Sequence, residues 1–252
     1  MKIFIVDLGA IHIHSERELK SLAIQLELSA SSIKREPSYR LYAIAPMKTT
    51  GVEYIERSSL RSGYTLYIAP LEKILDMLGA KRVIVLDPYG DADLRIEDLE
   101  WAEAIVIGGI VDRTPIKGLT TMLRNTNIPW APSRRIRLRG SLLGVPGEIN
   151  NIVSIVIKSL ETRDIERSVR EVQPRRDAVI RASAELHRIL ARKRITSIED
   201  LIEIYRSLST WLNLDELGMF RALLKSGRGD LAKLWREKIL QKAISIENSS
   251  HN

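Results

Sequence analysis

The 252 residues contain no cysteine. That excludes disulfide scaffolds, thiolate nucleophiles and zinc or iron–sulfur sites built on cysteine. Histidine is nearly as scarce. The four residues, at 12, 14, 187 and 251, are too few and too scattered for most imidazole-based metal sites, so no metal is expected. His12 and His14 have no acidic ligand near them in sequence and read as structural. No apolar run approaches the roughly 20 residues of a membrane span. The opening Lys2-Ile-Phe-Ile-Val-Asp7 is a strand-length run that ends on an acid, unlike a signal peptide. A soluble, cytoplasmic chain with no membrane partner is the expectation.

What is present is a chain 44% hydrophobic and long enough for one large domain or two modest ones. Its 39 basic and 32 acidic residues leave a net charge of +7. Residues 1–165 carry +2 of this and residues 166–252 carry +5. A basic balance suits a polyanion, because each Lys or Arg set against a phosphate releases counterions. It equally describes many proteins that touch no nucleic acid.

Residues 1–165 alternate between two textures. Strands are predicted at Ile3–Val6, Leu41–Ala45, Thr65–Ala69, Arg82–Leu86 and Ala104–Ile107, with a weaker one at Ile136–Leu138. They are β-branched with little polar alternation, as in a sheet covered on both faces. Between them Ser15–Leu28 spaces Leu19, Leu22, Ala23 and Leu26 helically behind a Ser15-Glu-Arg-Glu18 capping box. Leu71–Leu78, Ile116–Leu123 and Asn150–Leu160 read likewise. The expected core is a mostly parallel α/β sheet over residues 1–165. A charged linker, Arg163–Arg176, then leads to a basic bundle of roughly four helices within 166–252.

In such sheets ligands bind beyond the carboxyl ends of the strands. Three loops lie there: Leu86-Asp-Pro-Tyr-Gly90, Ile107-Gly-Gly-Ile-Val-Asp-Arg113, and the stretch from Leu138 to Gly147. Gly108-Gly109 permits close backbone approach or positive φ, for a flat ligand or simply for a turn. Neither a G-x-G-x-x-G fingerprint nor a Walker loop occurs. Asp112, just past Ile110-Val111 and beside Arg113, suits a proton acceptor as well as an ion pair. Pro132-Ser-Arg-Arg-Ile-Arg-Leu-Arg-Gly140 reads as a phosphate rail of Arg134, Arg135, Arg137 and Arg139, or as an edge strand blunted by charge. Lys34, Arg35 and Arg40 are weaker candidates for the same RNA contact.

Together these residues form a pattern. Val106-Ile-Gly-Gly-Ile-Val-Asp-Arg113 followed by Lys117-Gly-Leu119 resembles the signature of the tRNA position-9 N1-purine methyltransferases, a family of the SPOUT class of knotted methyltransferases. Val6-Asp-Leu8, Leu86-Asp-Pro88 and Ile149-Asn150 are similar to further stretches of that family in the same order, so the resemblance covers about residues 2–162. Two stretches depart from the pattern: Ile136-Arg-Leu138 and Ile149-Asn-Asn151.

The resemblance implies a trefoil-knotted sheet, a monomer, and S-adenosylmethionine as methyl donor. The small all-α domain read from residues 166–252 has no placed counterpart in the family, although archaeal members similarly extend beyond the SPOUT domain. By position the donor would meet Leu86, Gly108, Gly109, Asp112, Arg113, Thr114, Pro115, Ile116, Thr120, Leu138, Gly140, Gly147, Glu148 and Ile149. Asp112 matches the family's candidate catalytic aspartate, and Lys117 joins the candidate RNA contacts. The implied reaction is methylation of N1 of the purine at position 9 of tRNA, with adenine favoured over guanine because the resemblance is nearest to archaeal members. The alternatives are another SPOUT RNA methyltransferase and a non-catalytic protein that binds RNA through its helical tail.

Overall fold

The computed structural model describes residues 1–34, 37–60, 62–111 and 118–249, with side chains as far as residue 240. In chain order come β1 (Lys2–Asp7), α1 (Glu16–Ile33), β2 (Tyr39–Ala45), α2 (Thr50–Ser59) and β3 (Thr65–Ile68). Next are α3 (Leu71–Met77), β4 (Val83–Leu86), β5 (Ala92–Asp93), α4 (Ile96–Trp101) and β6 (Ala104–Gly108). Then follow α5 (Leu119–Asn127), β7 (Ser133–Arg135), α6 (Ile149–Thr162) and α7 (Ile165–Val172). The chain ends with α8 (Arg175–Leu190), α9 (Ile198–Ser209), α10 (Glu216–Lys225) and α11 (Gly229–Ser249).

Contacts divide the chain into two compact units, Met1–Arg137 with Gly147–Ser168, and Leu138–Pro146 with Val169–Asn252. The first holds one seven-stranded sheet in the order β3-β2-β1-β6-β4-β7-β5, with every pairing parallel. The central strands lack polar alternation because both faces are covered: all of Val83–Leu86 and nearly all of Lys2–Asp7 and Ala104–Gly108 are buried. One face packs Ile3, Ile5, Val83, Val85 and Val106 with Leu71, Ile74 and Leu75 of α3. In the same unit α1 packs against α6. The Ser15–Glu18 capping box opens α1 as the spacing predicts, with Glu18 accepting from the Ser15 amide at 2.8 Å.

Two expectations are corrected. The last strand is Ser133–Arg135 rather than 136–138, because those residues pair with both β4 and β5. Leu138 instead bridges Ser141 in a tight turn, with N–H···O bonds of 2.8 and 3.2 Å and left-handed φ at Arg139 (47°) and Gly140 (72°). The expected linker contains a helix, α7, in which Ser168 and Val169 are buried.

In the second unit α10 packs on α8 and on α11. Trp235 is fully buried, donates its indole N–H to the Glu216 carbonyl at 2.9 Å, and meets the Tyr205 ring at 5.3 Å. Burying such a side chain contributes roughly 2–3 kcal/mol. The loop Leu138–Pro146 is built into this unit. Buried Gln173 donates to the Gly144 carbonyl at 2.6 Å and accepts from the Asn213 amide at 3.0 Å. Gly144 has φ 88°, and a Cβ there would come within 2.6 Å of Arg181 Cβ. Arg139 and Arg181 lie over the Trp211 ring at 4.6 and 5.3 Å.

Candidate active site

Parallel registers place Asp7 opposite Gly108 and Leu86 opposite Ile107, so β1, β6 and β4 end level with one another at the carboxyl edge of the sheet. The turns leaving this edge are the candidate site. Gly108 and Gly109 are there for close approach, since neither has a positive φ. A Cβ at 108 would lie 2.6 Å from Thr120 Oγ1, and one at 109 would lie 2.8 Å from the Asp7 carbonyl oxygen. That same carbonyl accepts the Gly109 amide at 2.8 Å. The glycine pair therefore lets Thr120 and the exit of β1 pack directly against backbone at the centre of the sheet edge. Thr120, on α5, is half-buried beside it.

Leu86 is buried at the end of β4, and the next residue, Asp87, is only 2% exposed. Asp87 accepts from the Tyr89 amide at 2.8 Å and the Thr121 hydroxyl at 2.5 Å, which fixes the start of the loop. Gly90 lets that loop lie on β7, because a Cβ there would sit 2.7 Å from the Arg134 carbonyl carbon. Asp91 then accepts from Ser133 at 2.8 Å and Arg124 at 2.9 Å. These two bonds, the serine's foremost, hold its carboxyl below the usual carboxylate range. Asp7 behaves oppositely. Burial pushes its carboxyl up, against hydrogen bonds from the Gly9 amide at 2.9 Å and the Asn127 side chain.

At the start of α6, Gly147 is exposed, with open space where a Cβ would be. Glu148 caps the helix through its backbone, and its carboxylate accepts from Asn151 at 3.1 Å. Ile149 is buried and donates its amide to Gln25 at 2.8 Å. Leu138 and Gly140 lie in the tight turn of the second unit, where a Cβ on Gly140 would again meet nothing within 4 Å. Asp112, Arg113, Thr114, Pro115, Ile116 and Lys117, with Arg35, lie outside the described residues.

The arginine rail reads differently in three dimensions. Arg134 pairs with Asp98 at 2.8 Å, and Asp93 takes Arg135 at 2.7 Å and Arg137 at 3.4 Å. Lys34 and Arg40 are exposed, and Arg40 donates to the Pro37 and Tyr39 carbonyls at 2.7 Å. The second unit carries a groove of about 400 Å³ lined by Arg175, Arg176, Val179, Arg221, Leu224 and Lys225. Arg175 is paired with Asp215 at 2.8 Å, whereas Arg221 and Lys225 are exposed with no carboxylate partner among the described residues. Reasoning from sequence missed Asp87, Asp91 and this groove. The Leu86-Asp-Pro signal pointed at Asp87, but the groove pairs residues more than 40 positions apart. Among the described residues no group of three His, Asp or Glu could hold a metal ion, and no helix is long and apolar enough to cross a membrane.

The molecule is thus an α/β protein with an all-parallel sheet and a close-packed glycine backbone at its carboxyl edge. Comparison with known proteins narrows this class. The chain is 27% identical over 179 residues to the tRNA (adenine(9)-N1)-methyltransferase of Sulfolobus acidocaldarius, which spans 70% of this chain and 56% of that protein. It is 30% identical over 186 residues to the tRNA (guanine(9)-/adenine(9)-N1)-methyltransferase of Thermococcus kodakarensis, which spans 69% of this chain and 48% of that one. The structure of Sulfolobus acidocaldarius Trm10 in complex with S-adenosylhomocysteine shares the fold with a TM-score of 0.61, at 22% identity over 88% of this chain and 66% of that chain. Residues 38–141 also match the profile of the SFM1-like protein arginine N-methyltransferases. The chain spans about half the length of the curated relatives it matches. Those relatives are position-9 tRNA methyltransferases, the family that Val106–Arg113 resembles.

Proposed function

We propose that this chain transfers a methyl group from S-adenosylmethionine to N1 of the purine at position 9 of tRNA, with adenine preferred to guanine. The observation that carries the reading is the close-packed Gly108-Gly109 backbone at the centre of the sheet edge, which precedes Asp112 in the stretch that resembles the family signature. Within the sheet unit the proposed donor set is Leu86, Gly108, Gly109, Thr120, Gly147, Glu148 and Ile149, with Arg113 to Ile116 beyond Asp112, and Gly147 leaves open space at the start of α6. The donor supplies a methyl group activated on a sulfonium.

The chain's own share is positioning and charge. Holding nucleophile and methyl in line accounts for most of the rate. Guanine N1 carries a proton, which Asp112 accepts. Adenine N1 carries none, and there the same carboxylate faces the positive charge that develops on the ring. A base inside the tRNA core must first leave its stack, so the enzyme needs a grip on the backbone around it. We assign that grip to the basic groove of the second unit, with Arg139, Lys34 and Arg40 as further phosphate contacts. By the same resemblance the sheet is knotted and the protein a monomer, and the sequence pattern makes residues 166–252 an all-α domain of a cytoplasmic protein.

Incubation with S-adenosylmethionine and transcripts carrying A9 or G9, followed by mass-spectrometric mapping, tests the reading. N1-methylpurine at position 9 is expected. Asp112→Asn should slow single-turnover methylation by about 10²–10⁴-fold and leave S-adenosylhomocysteine affinity largely intact. The arginine-methyltransferase match supports a second reading, methyl transfer to protein. Label appearing in protein and not in tRNA would favour it.

A further inference from the structure

After β1 the chain makes a short 3-10 turn, Ile11–Ile13, and arrives at His14. The half-buried imidazole makes two contacts: Nδ1 lies 3.2 Å from the Ile11 carbonyl oxygen, and Nε2 lies 2.9 Å from the Val111 amide nitrogen. A backbone N–H can only donate, so Nε2 must be the acceptor and carry no proton. The single proton of the neutral ring then sits on Nδ1, where the Ile11 carbonyl receives it. Both contacts are satisfied by one tautomer, and the ring is oriented by its own turn before it meets the β6 loop.

This bond is the second of two lacings between the exit of β1 and the exit of β6. The first is the Gly109 amide on the Asp7 carbonyl at 2.8 Å. The second, two residues further, is the Val111 amide on His14. Only backbone makes the first, so any residue at position 7 could supply it. The second depends on an acceptor at the end of one particular side chain, 97 positions away in sequence. Val111 is the residue before Asp112.

We propose that His14 is a positioning residue for the reaction: its Nε2 holds the amide of Val111, the residue that precedes Asp112 in the chain. The inference rests on the reading of Asp112 given above. It requires no contact between His14 and substrate. What His14 contributes is the aim of a group that works only when aligned, and misplacement by about 1 Å can cost on the order of 10²-fold in rate.

The experiment is a double-mutant cycle on single-turnover methylation of an A9 transcript, with His14→Phe, His14→Gln and Asp112→Asn. His14→Phe keeps a flat ring without the acceptor and should slow the reaction by about 10–100-fold. His14→Gln places a carbonyl oxygen near the Nε2 position and should recover most of that rate. In the Asp112→Asn background His14→Phe should cost less than about threefold, because a group that acts through Asp112 has nothing left to aim. Three results overturn the proposal: a His14→Phe rate equal to wild type, losses in His14→Phe and His14→Gln that are alike, or a full His14→Phe loss on top of Asp112→Asn. In each of them a slow Asp112→Asn enzyme would leave the reading of Asp112 standing. If Asp112→Asn is itself as fast as wild type, that reading falls and takes this inference with it.

Discussion

Two regions of this protein are rich in cations, and they leave different amounts of that charge unpaired. In the sheet unit, residues 134–137 carry three arginines, all drawn into ion pairs: Arg134 with Asp98, and Arg135 and Arg137 with Asp93. In the helical unit, Arg175 and Arg176 of α8 are paired with Asp215 and Asp177, but Arg221 and Lys225, one turn apart on α10, have no carboxylate partner among the described residues. The first region has the denser run in sequence, and the second has more charge left for a phosphate. The difference comes from topology. The segment Ala92–Trp101 returns alongside β7 and brings Asp93 and Asp98 to it, whereas α8 and α10 leave Arg175, Arg176, Arg221 and Lys225 lining a groove. Linear density of arginine is therefore a poor measure of available charge, since each partner removed from water into an ion pair no longer releases a counterion from RNA.

The largest expected effect tests which region grips tRNA. Arg221→Ala with Lys225→Ala should lower the slope of log affinity against log salt by about two and weaken binding roughly tenfold or more near physiological salt. Arg134→Ala with Arg135→Ala and Arg137→Ala should change the slope by less than about one. Filter binding across a salt series checks both, and the reverse ranking would restore the strand as the phosphate rail. S-adenosylhomocysteine affinity, measured in parallel, should not follow the groove substitutions.

Stability should rank the other way. Arg134 and Asp98 are both largely covered, with side chains 22% and 17% exposed. Asp98 also accepts the Arg95 amide at 3.0 Å at the start of α4. Removing the arginine leaves that carboxylate poorly solvated, so Arg134→Ala should cost about 1–2 kcal/mol, between the values for surface and buried pairs. Arg221→Ala, on an open helix face, should stay within about 0.5 kcal/mol. Thermal melts of the two variants decide this. A larger loss for Arg221→Ala would mean that the groove is structural.

How much of this was legible beforehand follows the range of the interactions. The central strands β1, β4 and β6 were readable because their burial is written as unbroken β-branched runs, and α1 because Ser15 and Glu18 sit three residues apart. β7 was displaced by three residues, because Ser133-Arg-Arg has no strand-like pattern of its own and is ordered by β4, β5 and the acids of 93–98. α7 was hidden by its charge, and only Ser168 and Val169 turn inward. Of the site, the Gly108-Gly109 turn was visible but its cause was not: contact with Thr120 and Asp7, rather than positive φ, demands glycine there. His14 looked merely structural because its acceptor role depends on a partner 97 residues away.

The smallest effect concerns a charge that is neither paired with a cation nor solvated. Asp7 is 5% exposed, and burial raises its carboxyl although the Gly9 amide and Asn127 side chain lower it. A raised folded-state value means the native protein binds the proton more tightly than the unfolded chain. Ionisation therefore works against folding, and the penalty grows as pH rises from the ordinary value of 3.8 through the raised one. Asp7→Asn removes that titration while its side-chain oxygen still accepts from Gly9, and rotation of the Asn127 amide provides an acceptor for the new N–H₂. The variant should be as stable as wild type or more so at pH 7, by less than about 1 kcal/mol, and the two melting curves should converge as pH falls towards 4. A variant clearly less stable at pH 7, with the gap closing in acid, would show that the ionised carboxylate is held by its two donors more strongly than burial opposes it. Asp7 would then belong with the satisfied charges of β7 and not apart from them.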